Sequence, residues 1–265
     1  MNDQQFRQLL NRYQFSRAGY RKVRKGVKKR IRRYMELIGF NDMSAFLAEL
    51  DKNDEVRHQC ELLMTVSISR FFRDRVLWQG LKENILPELI GVGKEKIKLW
   101  SAGCSCGEEV FSVKIVWTCL SRRCLHVPNL ELVATDINPA YIDRARSGVY
   151  PSSSLKEVPT EIQSGYFKQK GDKKLFEVNT SLKKGITWKI HHLLSDPPGL
   201  NFDIIFLRNN VLTYYEEDLK KRALRKVLDG LAPNGFLVIG CHETIPVDTE
   251  NLISDSRVPY VFRKV

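Results

Sequence analysis

Two short segments have residue types and spacing that suit ligand binding. Residues 103–109 read Gly-Cys-Ser-Cys-Gly-Glu-Glu and follow an apolar stretch, which predicts a tight strand-to-helix turn whose backbone can approach a ligand closely. No Gly-Lys-Ser/Thr follows, and the paired glutamates would repel a pyrophosphate, so a cationic or neutral cofactor is favoured. Asp136 ends a second apolar stretch, where its carboxylate can bind both ribose hydroxyls or simply cap the next helix. Together, the turn and Asp136 predict a nucleoside site without phosphates, which S-adenosylmethionine would fit.

Strands and helices alternate in the part of the chain that carries these segments. Buried strands spaced by helices are typical of a parallel α/β sheet, which binds ligands beyond the carboxyl ends of its strands. Predicted strands cover 97–102, 130–135, 202–207 and 236–239, and predicted helices cover 108–120, 139–146 and 217–231. Between 166 and 188, short β-rich runs separated by Gly171-Asp172 and 183–185 predict small antiparallel strands, either an excursion from the main sheet or its edge.

The composition indicates a globular protein of 265 residues, with 43% hydrophobic and 28% charged residues. No apolar run approaches the roughly 20 residues of a membrane-spanning helix, and the first residues lack a secretory pattern. We therefore expect a cytoplasmic protein without membrane insertion. The six cysteines form no paired C-x-x-C arrangement, which argues against a metal site, and a reducing compartment argues against disulfides.

The positive charge is concentrated at the amino-terminal end. Residues 1–40 contain 12 Lys and Arg against two acidic residues, whereas the remaining residues carry 31 positive and 29 negative charges. Apolar residues spaced by three or four predict a helix over 20–38 that ends at Gly39 and has an almost purely cationic opposite face. Such a face suits a nucleic-acid backbone, an anionic membrane or an acidic protein, and the remaining alternative is a solvated face without a partner. Further short helical patterns make residues 1–75 a predicted all-helical unit.

Several segments, in the expected order, match one enzyme family. The chain resembles the CheR-type protein-glutamate methyltransferases, which use S-adenosylmethionine to esterify glutamates on bacterial chemoreceptors. The matching segments are Ser-Ile-Ser-Arg-Phe-Phe-Arg-Asp at 67–74, the run 100–109, Ala-Thr-Asp at 134–136, Arg-Ala-Arg-Ser-Gly-Val-Tyr at 144–150, the run 202–209, and Gly235 with 240–243.

The resemblance implies a domain division and a set of site residues. It implies a helical amino-terminal domain and linker over 1–75, followed over 76–265 by a Rossmann-like S-adenosylmethionine-dependent methyltransferase domain with a small β-subdomain at about 165–190. With the glycine turn included, the expected cofactor-binding residues are Ser67, Ser69, Arg73, Gly103, Glu109, Asp136, His192, Leu193, Arg208 and Asn209. Arg73 and Tyr214 would flank the transferred methyl group as catalytic residues. Arg24, Lys28 and Arg32 of the basic helix are the expected substrate-binding residues.

The chain also departs from the family pattern. Ser69 stands where the family usually has Thr, His192 where it has Asn, and one additional residue precedes Tyr214. Gly-Cys-His-Glu at 240–243 replaces the commoner Gly-His-Ser-Glu. These departures suggest a divergent subgroup whose substrate need not be a chemoreceptor.

Methyl transfer to a glutamate requires few catalytic groups. The carboxylate, with an unperturbed pKa of about 4.3, is already ionised at pH 7, so alignment and water exclusion supply most of the acceleration. Arg73 could hold this carboxylate and Tyr214 could orient it, although Arg73 could instead pair with Asp74 or Glu109, and Tyr214 could be a core aromatic residue.

The leading hypothesis is therefore methyl-ester formation on glutamates of an acidic helical protein, the cytoplasmic part of a chemoreceptor, in signal transduction. S-adenosylhomocysteine would be the product, and no metal or nucleic acid would take part. The alternatives are a methyltransferase for another protein or a small molecule, and a cofactor-binding module with a basic nucleic-acid-binding arm.

Overall fold

The first 64 residues form helices around a shared apolar core. The computed structural model describes residues 1–124, 126–171, 174–246 and 251–265. The amino-terminal helices are α1 (Asp3–Arg12), α2 (Arg17–Tyr20), α3 (Arg24–Leu37), α4 (Met43–Lys52) and α5 (Asp54–Met64). Side chains of Asn2, Asp42 and Asn53 accept hydrogen bonds from backbone N–H groups in the first turns of α1, α4 and α5, which fixes where these helices begin.

The basic helix in the structure is shorter than the predicted one, because the chain turns before this helix begins. Helix α3 begins at Arg24, whereas Tyr20 ends the separate helix α2. The Tyr20 ring is buried in the same apolar cluster as Val27 and Ile31, and its hydroxyl donates to the Met64 carbonyl. Val27 and Ile31 are buried as the stripe predicts, and Gly39 has a φ of +84° just beyond α3, as expected of its C-terminal stop.

The following part of the chain contains a seven-stranded sheet. Its strands are β1 (Lys96–Ala102), β2 (Asn129–Asp136), β6 (Ile186–Ile190), β7 (Phe202–Leu207), β8 (Leu231–Ile239), β9 (Leu252–Ser254) and β10 (Val261–Lys264). The spatial order is β6-β2-β1-β7-β8-β10-β9, in which the first five strands are parallel and β10 is antiparallel to both neighbours. This is a doubly wound, Rossmann-like α/β sheet, as predicted.

A separate three-stranded antiparallel sheet forms beside the main one. Its order is β3-β5-β4, with β3 at Val149–Pro151, β4 at Phe167–Gln169 and β5 at Leu175–Val178. The small sheet therefore begins earlier in the chain than the predicted β-subdomain. Residues 186–188 were expected to be antiparallel, but they belong to β6, which pairs in parallel with β2 at the edge of the main sheet. Asp172, in the turn predicted between the antiparallel strands, lies outside the described residues.

The helices of this part cover the sheet. They are α6 (Arg75–Gly80), a π-helical turn (Leu81–Ile85), α7 (Leu86–Gly91), α8 (Glu108–Ser121), α9 (Pro139–Ser147), a 3₁₀ turn (Ser152–Leu155), α10 (Thr160–Tyr166), α11 (Thr180–Lys183), α12 (Val211–Tyr214) and α13 (Glu217–Asp229). Alternate residues of β1 enter two different apolar clusters, Ile97 and Leu99 on one face and Trp100 and Ala102 on the other. Both faces of β1 are therefore buried. Within the described residues, no helix is both long and apolar enough to cross a membrane.

The amino-terminal helices contact the sheet domain through the segment that follows β7. The amide of Ser16 donates to the Tyr214 carbonyl at 2.7 Å, and the rings of Phe15 and Tyr215 stack with centroids 5.2 Å apart. Leu219 of α13 belongs to the amino-terminal apolar cluster. The division at residue 75 stays a prediction, and Arg75 is the first residue of α6.

Candidate cofactor and methyl-transfer site

An open crevice lies at the carboxyl ends of β1, β2 and β7. It encloses about 1080 Å³ of empty space, part of it open to solvent. The residues after these strands meet there because Ala102 is in register with Thr135, and Ser101 with Phe206. Ten of the eleven expected cofactor-binding and catalytic residues line it: Ser69, Arg73, Gly103, Glu109, Asp136, His192, Leu193, Arg208, Asn209 and Tyr214.

The turn after β1 forms one wall of the crevice. The Thr135 carbonyl accepts hydrogen bonds from the amides of both Gly103 and Cys104, each at 2.8 Å, which ties this turn to the end of β2. Gly103 has a φ of +81°, and a Cβ at this position would lie 2.4 Å from the side-chain nitrogen of Asn210. A residue other than glycine would therefore be strained and would collide with the segment after β7.

Asp136 presents a buried carboxylate to the crevice. Its oxygens accept from the amides of Ser105 and Asn138 at 2.8 and 2.9 Å. Asn138, rather than Asp136, caps α9 through a side-chain hydrogen bond to the Ala140 amide, so helix capping is not the role of Asp136. Burial raises the pKa of Asp136, opposed by these backbone hydrogen bonds. An ionised carboxylate has about four acceptor positions, so Asp136 can still accept from ligand hydroxyls.

Arg208 joins three segments of the site in one charged network. Its guanidinium donates to Asp74 at 2.6 Å and to Glu109 at 2.9 Å, and it also donates to the backbone carbonyl of Arg73 at 3.1 Å. The second oxygen of Glu109 accepts from the Ser101 hydroxyl at 2.7 Å. Asp74 and Glu109 thus pair with Arg208. The sequence by itself left open the alternative that one of them pairs with Arg73.

The backbone around Arg73 has an unusual conformation. Phe72 and Asp74, the residues on either side of it, both have left-handed φ values, 53° and 68°, which cost on the order of 1 kcal/mol each for residues other than glycine. The Arg73 side chain donates to the Ile68 carbonyl at 2.9 Å, and its carbonyl accepts from the Trp78 indole at 2.8 Å. These contacts hold Arg73 against the crevice.

Tyr214 lines the same crevice and also packs against an amino-terminal helix. Its ring packs edge-on against Tyr20, with centroids 5.0 Å apart, so it is an aromatic packing residue as well as a crevice residue. Burial raises the pKa of Tyr214, and the nearby positive charge of Arg73 opposes that rise. The Tyr214 hydroxyl therefore stays protonated at neutral pH and can donate a hydrogen bond.

Asn209 is held in place by a buried carboxylate. It has a φ of 55°, and its amide donates to Glu243, which also accepts from the Gly240 amide, both at 2.8 Å. The other Glu243 oxygen accepts from the Thr213 hydroxyl at 2.6 Å. Glu243 therefore fixes the turns that follow β7 and β8.

Among the predicted positions, Ser67 does not line the crevice in the described residues. Its hydroxyl is 2.7 Å from that of Ser105, which lines the crevice, so Ser67 supports the glycine turn. The predicted substrate-binding residues lie on α3 and also do not line the crevice in the described part of the chain. Lys28 pairs with Asp3 at 2.6 Å, Arg24 approaches Asp3 at 3.9 Å, and Arg32 pairs with Glu36 at 3.6 Å.

Sequence reasoning did not select the crevice residues that come from the amino-terminal region. Phe15, Tyr20 and Glu61 line the crevice, as does Tyr141 of α9. Phe15 and Tyr20 belong to apolar patterns that look like ordinary core, and Glu61 is one acidic residue in a mixed helix. Only the packing of the helices onto the sheet reveals their position.

The residues present fit S-adenosylmethionine. Asp136 offers free acceptor positions to ribose hydroxyls, and the turn at Gly103 brings the backbone close without a positively charged phosphate loop. The charge of Arg208 is compensated by two carboxylates, so this wall does not repel a sulfonium ion. In the described residues, no group of three or more His, Cys, Asp or Glu side chains could hold a metal ion.

The Rossmann-like fold and a crevice that fits S-adenosylmethionine are the features expected of an S-adenosylmethionine-dependent methyltransferase. The family model described as "CheR methyltransferase, SAM binding domain" matches residues 67–260. The chain therefore belongs to the CheR methyltransferase family, and S-adenosylmethionine is its cofactor.

Curated relatives of this chain include chemotaxis protein methyltransferases. The chain is 32% identical over 219 residues to a chemotaxis protein methyltransferase of Listeria innocua serovar 6a, covering 83% of this chain and 81% of the relative. It is 29% identical over 227 residues to a chemotaxis protein methyltransferase of Borreliella burgdorferi, covering 83% and 80% respectively. These similarities extend over most of both chains.

Proposed function

We propose that the protein is a protein-glutamate O-methyltransferase that forms methyl esters on glutamate side chains of chemoreceptor-like proteins in the cytoplasm. The observation that carries this proposal is that Arg73 and Tyr214 line the same crevice as Asp136 and Gly103. Carboxylate-binding groups and nucleoside-binding groups therefore share one space. Family membership and the chemotaxis relatives support the same substrate class.

The two ends of the crevice have separate tasks in this proposal. Bound S-adenosylmethionine supplies a methyl group on a positively charged sulfur. Asp136 and the Gly103 turn hold the nucleoside, while the forked guanidinium of Arg73 holds one oxygen of the acceptor carboxylate. Tyr214, kept protonated by burial, donates to the same carboxylate and so orients its attacking oxygen. The acceptor is already an anion at pH 7, so none of these residues needs to remove a proton.

Alignment depends on the segments that hold these groups. The Arg208 guanidinium binds the backbone of Arg73, and the Tyr214 carbonyl accepts from the Ser16 amide of the amino-terminal region. Preorganised positioning of reacting groups accounts for a large part of the barrier reduction in such displacements. The expected consequence is that substitutions at Arg73 or Tyr214 lower the turnover number more than they lower cofactor affinity.

The basic helix α3 supplies a surface for an acidic protein partner. Arg24, Lys25, Lys29, Arg32 and Arg33 are exposed along it. A surface with one sign of charge accelerates encounter with a partner of the opposite sign, and the effect weakens with salt. We therefore propose an acidic helical substrate, the cytoplasmic part of a chemoreceptor, for which Arg24, Lys28 and Arg32 contribute binding.

The experiment is transfer of a labelled methyl group to the cytoplasmic fragment of a chemoreceptor. We expect label that is released as methanol by mild base, and no label on a fragment whose acceptor glutamates are replaced by alanine. Arg73→Lys is the matched enzyme variant, because it keeps the charge and removes the fork. Label that resists base, or label retained by the glutamate-free fragment, would contradict the carboxylate acceptor.

A further inference from the structure

One acidic side chain of the amino-terminal helices lies at the cofactor crevice. Glu61 is on α5 and lines the crevice together with Asp136 and His192. Its side chain is 22% exposed, and it precedes the 67–260 segment that the family model matches. A residue outside the cofactor-binding domain therefore reaches the cofactor's space.

Glu61 makes a directed contact with a crevice residue. The His192 Nε2 atom lies 3.2 Å from the Glu61 Oε1 atom, and the Leu194 amide donates to His192 Nδ1 at 3.1 Å. Because Nδ1 accepts a hydrogen bond, the proton of the neutral ring is assigned to Nε2, which then donates to Glu61. The imidazole is thus held from both sides, by its own loop and by α5.

The loop that His192 begins is attached to the nucleoside-binding strand end. The amide of His191 donates to the Asp136 carbonyl at 3.0 Å, and the Ser195 amide donates to the His192 carbonyl at 2.9 Å. His192 and Leu193, which line the crevice, therefore follow directly after the contact with Asp136. The position of the His192 ring therefore affects the part of the crevice wall that is attached to the Asp136 backbone.

We propose that Glu61 is a positioning residue for cofactor binding, which acts through His192 to fix the wall of the crevice beside Asp136. The amino-terminal helices then contribute to cofactor affinity as well as to any contact with the acceptor. This inference rests on the family's cofactor and not on the proposed acceptor, so the two can fail independently.

The test is calorimetric titration of the full chain with S-adenosylhomocysteine, which needs no methyl acceptor. A hydrogen bond is worth about 0.5–1.5 kcal/mol, so Glu61→Ala should raise the dissociation constant by roughly 2- to 13-fold. Glu61→Gln should bind within about two-fold of the parent chain, because its amide oxygen can accept the same hydrogen bond. Glu55→Ala, an exposed position on the same helix, is the matched control and should leave affinity unchanged.

A double-mutant cycle tests whether the effect passes through His192. His192→Ala should raise the dissociation constant, and Glu61→Ala should add almost nothing in that background. With S-adenosylmethionine, Glu61→Ala should raise KM and leave kcat at saturation within about two-fold.

Three results would overturn the proposal. They are unchanged affinity in Glu61→Ala, an undiminished Glu61→Ala effect in the His192→Ala background, and a loss confined to kcat. If Glu61→Ala does not fold, as judged by circular dichroism, His192→Ala alone must weaken binding, and unchanged binding in that variant would refute the inference.

Discussion

Arg208 offers the most quantitative test of the site, because its guanidinium pairs with two carboxylates at once. Its side chain is 5% exposed, and the side chains of Asp74 and Glu109 are 18% and 14% exposed. Arg208→Ala would leave two neighbouring carboxylates without their cation and remove the donor to the Arg73 carbonyl. Breaking a buried pair by removing one partner costs about 3–5 kcal/mol. Because water can partly reach both carboxylates, we expect the lower end, about 3 kcal/mol of unfolding free energy.

The assay is urea denaturation of the cofactor-free chain, followed by the dissociation constant of S-adenosylhomocysteine. Adding Asp74→Asn and Glu109→Gln to Arg208→Ala removes both uncompensated charges and should recover most of the lost stability. Arg208→Lys keeps the charge but not the fork, so it should lie between the parent and Arg208→Ala. A loss below about 1 kcal/mol in Arg208→Ala, the value of an exposed ion pair, would refute the reasoning. So would a triple variant as unstable as the single one.

Three further outcomes follow from the site and the basic helix. Burial raises the folded-state pKa of Asp136 above 3.8. Below that raised value Asp136 is protonated and loses acceptor positions, so S-adenosylhomocysteine affinity should fall as the pH drops through it. Asp136→Asn should weaken binding at neutral pH and remove this pH dependence, both measured by calorimetry. Tyr214→Phe removes one hydrogen bond to the acceptor carboxylate and should lower kcat by roughly 10-fold, with little change in KM for S-adenosylmethionine. The ratio to the parent should stay constant from pH 6 to 9, because burial keeps the phenol protonated. Reversing the charge of α3 with Arg24→Glu and Arg32→Glu should raise KM for an acidic receptor fragment at low salt. This effect should disappear near 1 M salt, where the Debye length is about 3 Å. An equal effect at both salt concentrations would show that the helix does not act through charge.

The strands that carry the site were predictable because their residues are apolar on both faces. Residues 202–207 are predicted and observed as one strand, and β1 and β2 differ from prediction by one residue at their ends. Burial on both faces gives a continuous apolar run that is visible locally. Strands β9 and β10 were missed, since short strands with partly exposed residues, at or next to the sheet edge, lack that pattern.

Pairing partners were harder to predict than the elements themselves. Residues 186–188 look like part of an antiparallel excursion, yet β6 lies parallel to β2 across about 50 intervening residues. A strand's hydrogen bonds can be satisfied equally by either kind of neighbour, so the local sequence leaves the choice open. The start of the basic helix was also misplaced, since the anchoring of Tyr20 by Met64 and Tyr214 is a contact between distant segments.

By itself, the sequence determined the parallel α/β sheet, the glycine turn at Gly103, the carboxylate of Asp136 and the family resemblance. These features depend on residue type and spacing within one segment, where steric freedom, burial and charge act locally. Only the tertiary structure decided that Arg208, rather than Arg73, pairs with Asp74 and Glu109, and that Glu61 reaches His192. Such contacts join residues far apart in the chain, and their energies depend on distances that folding alone sets.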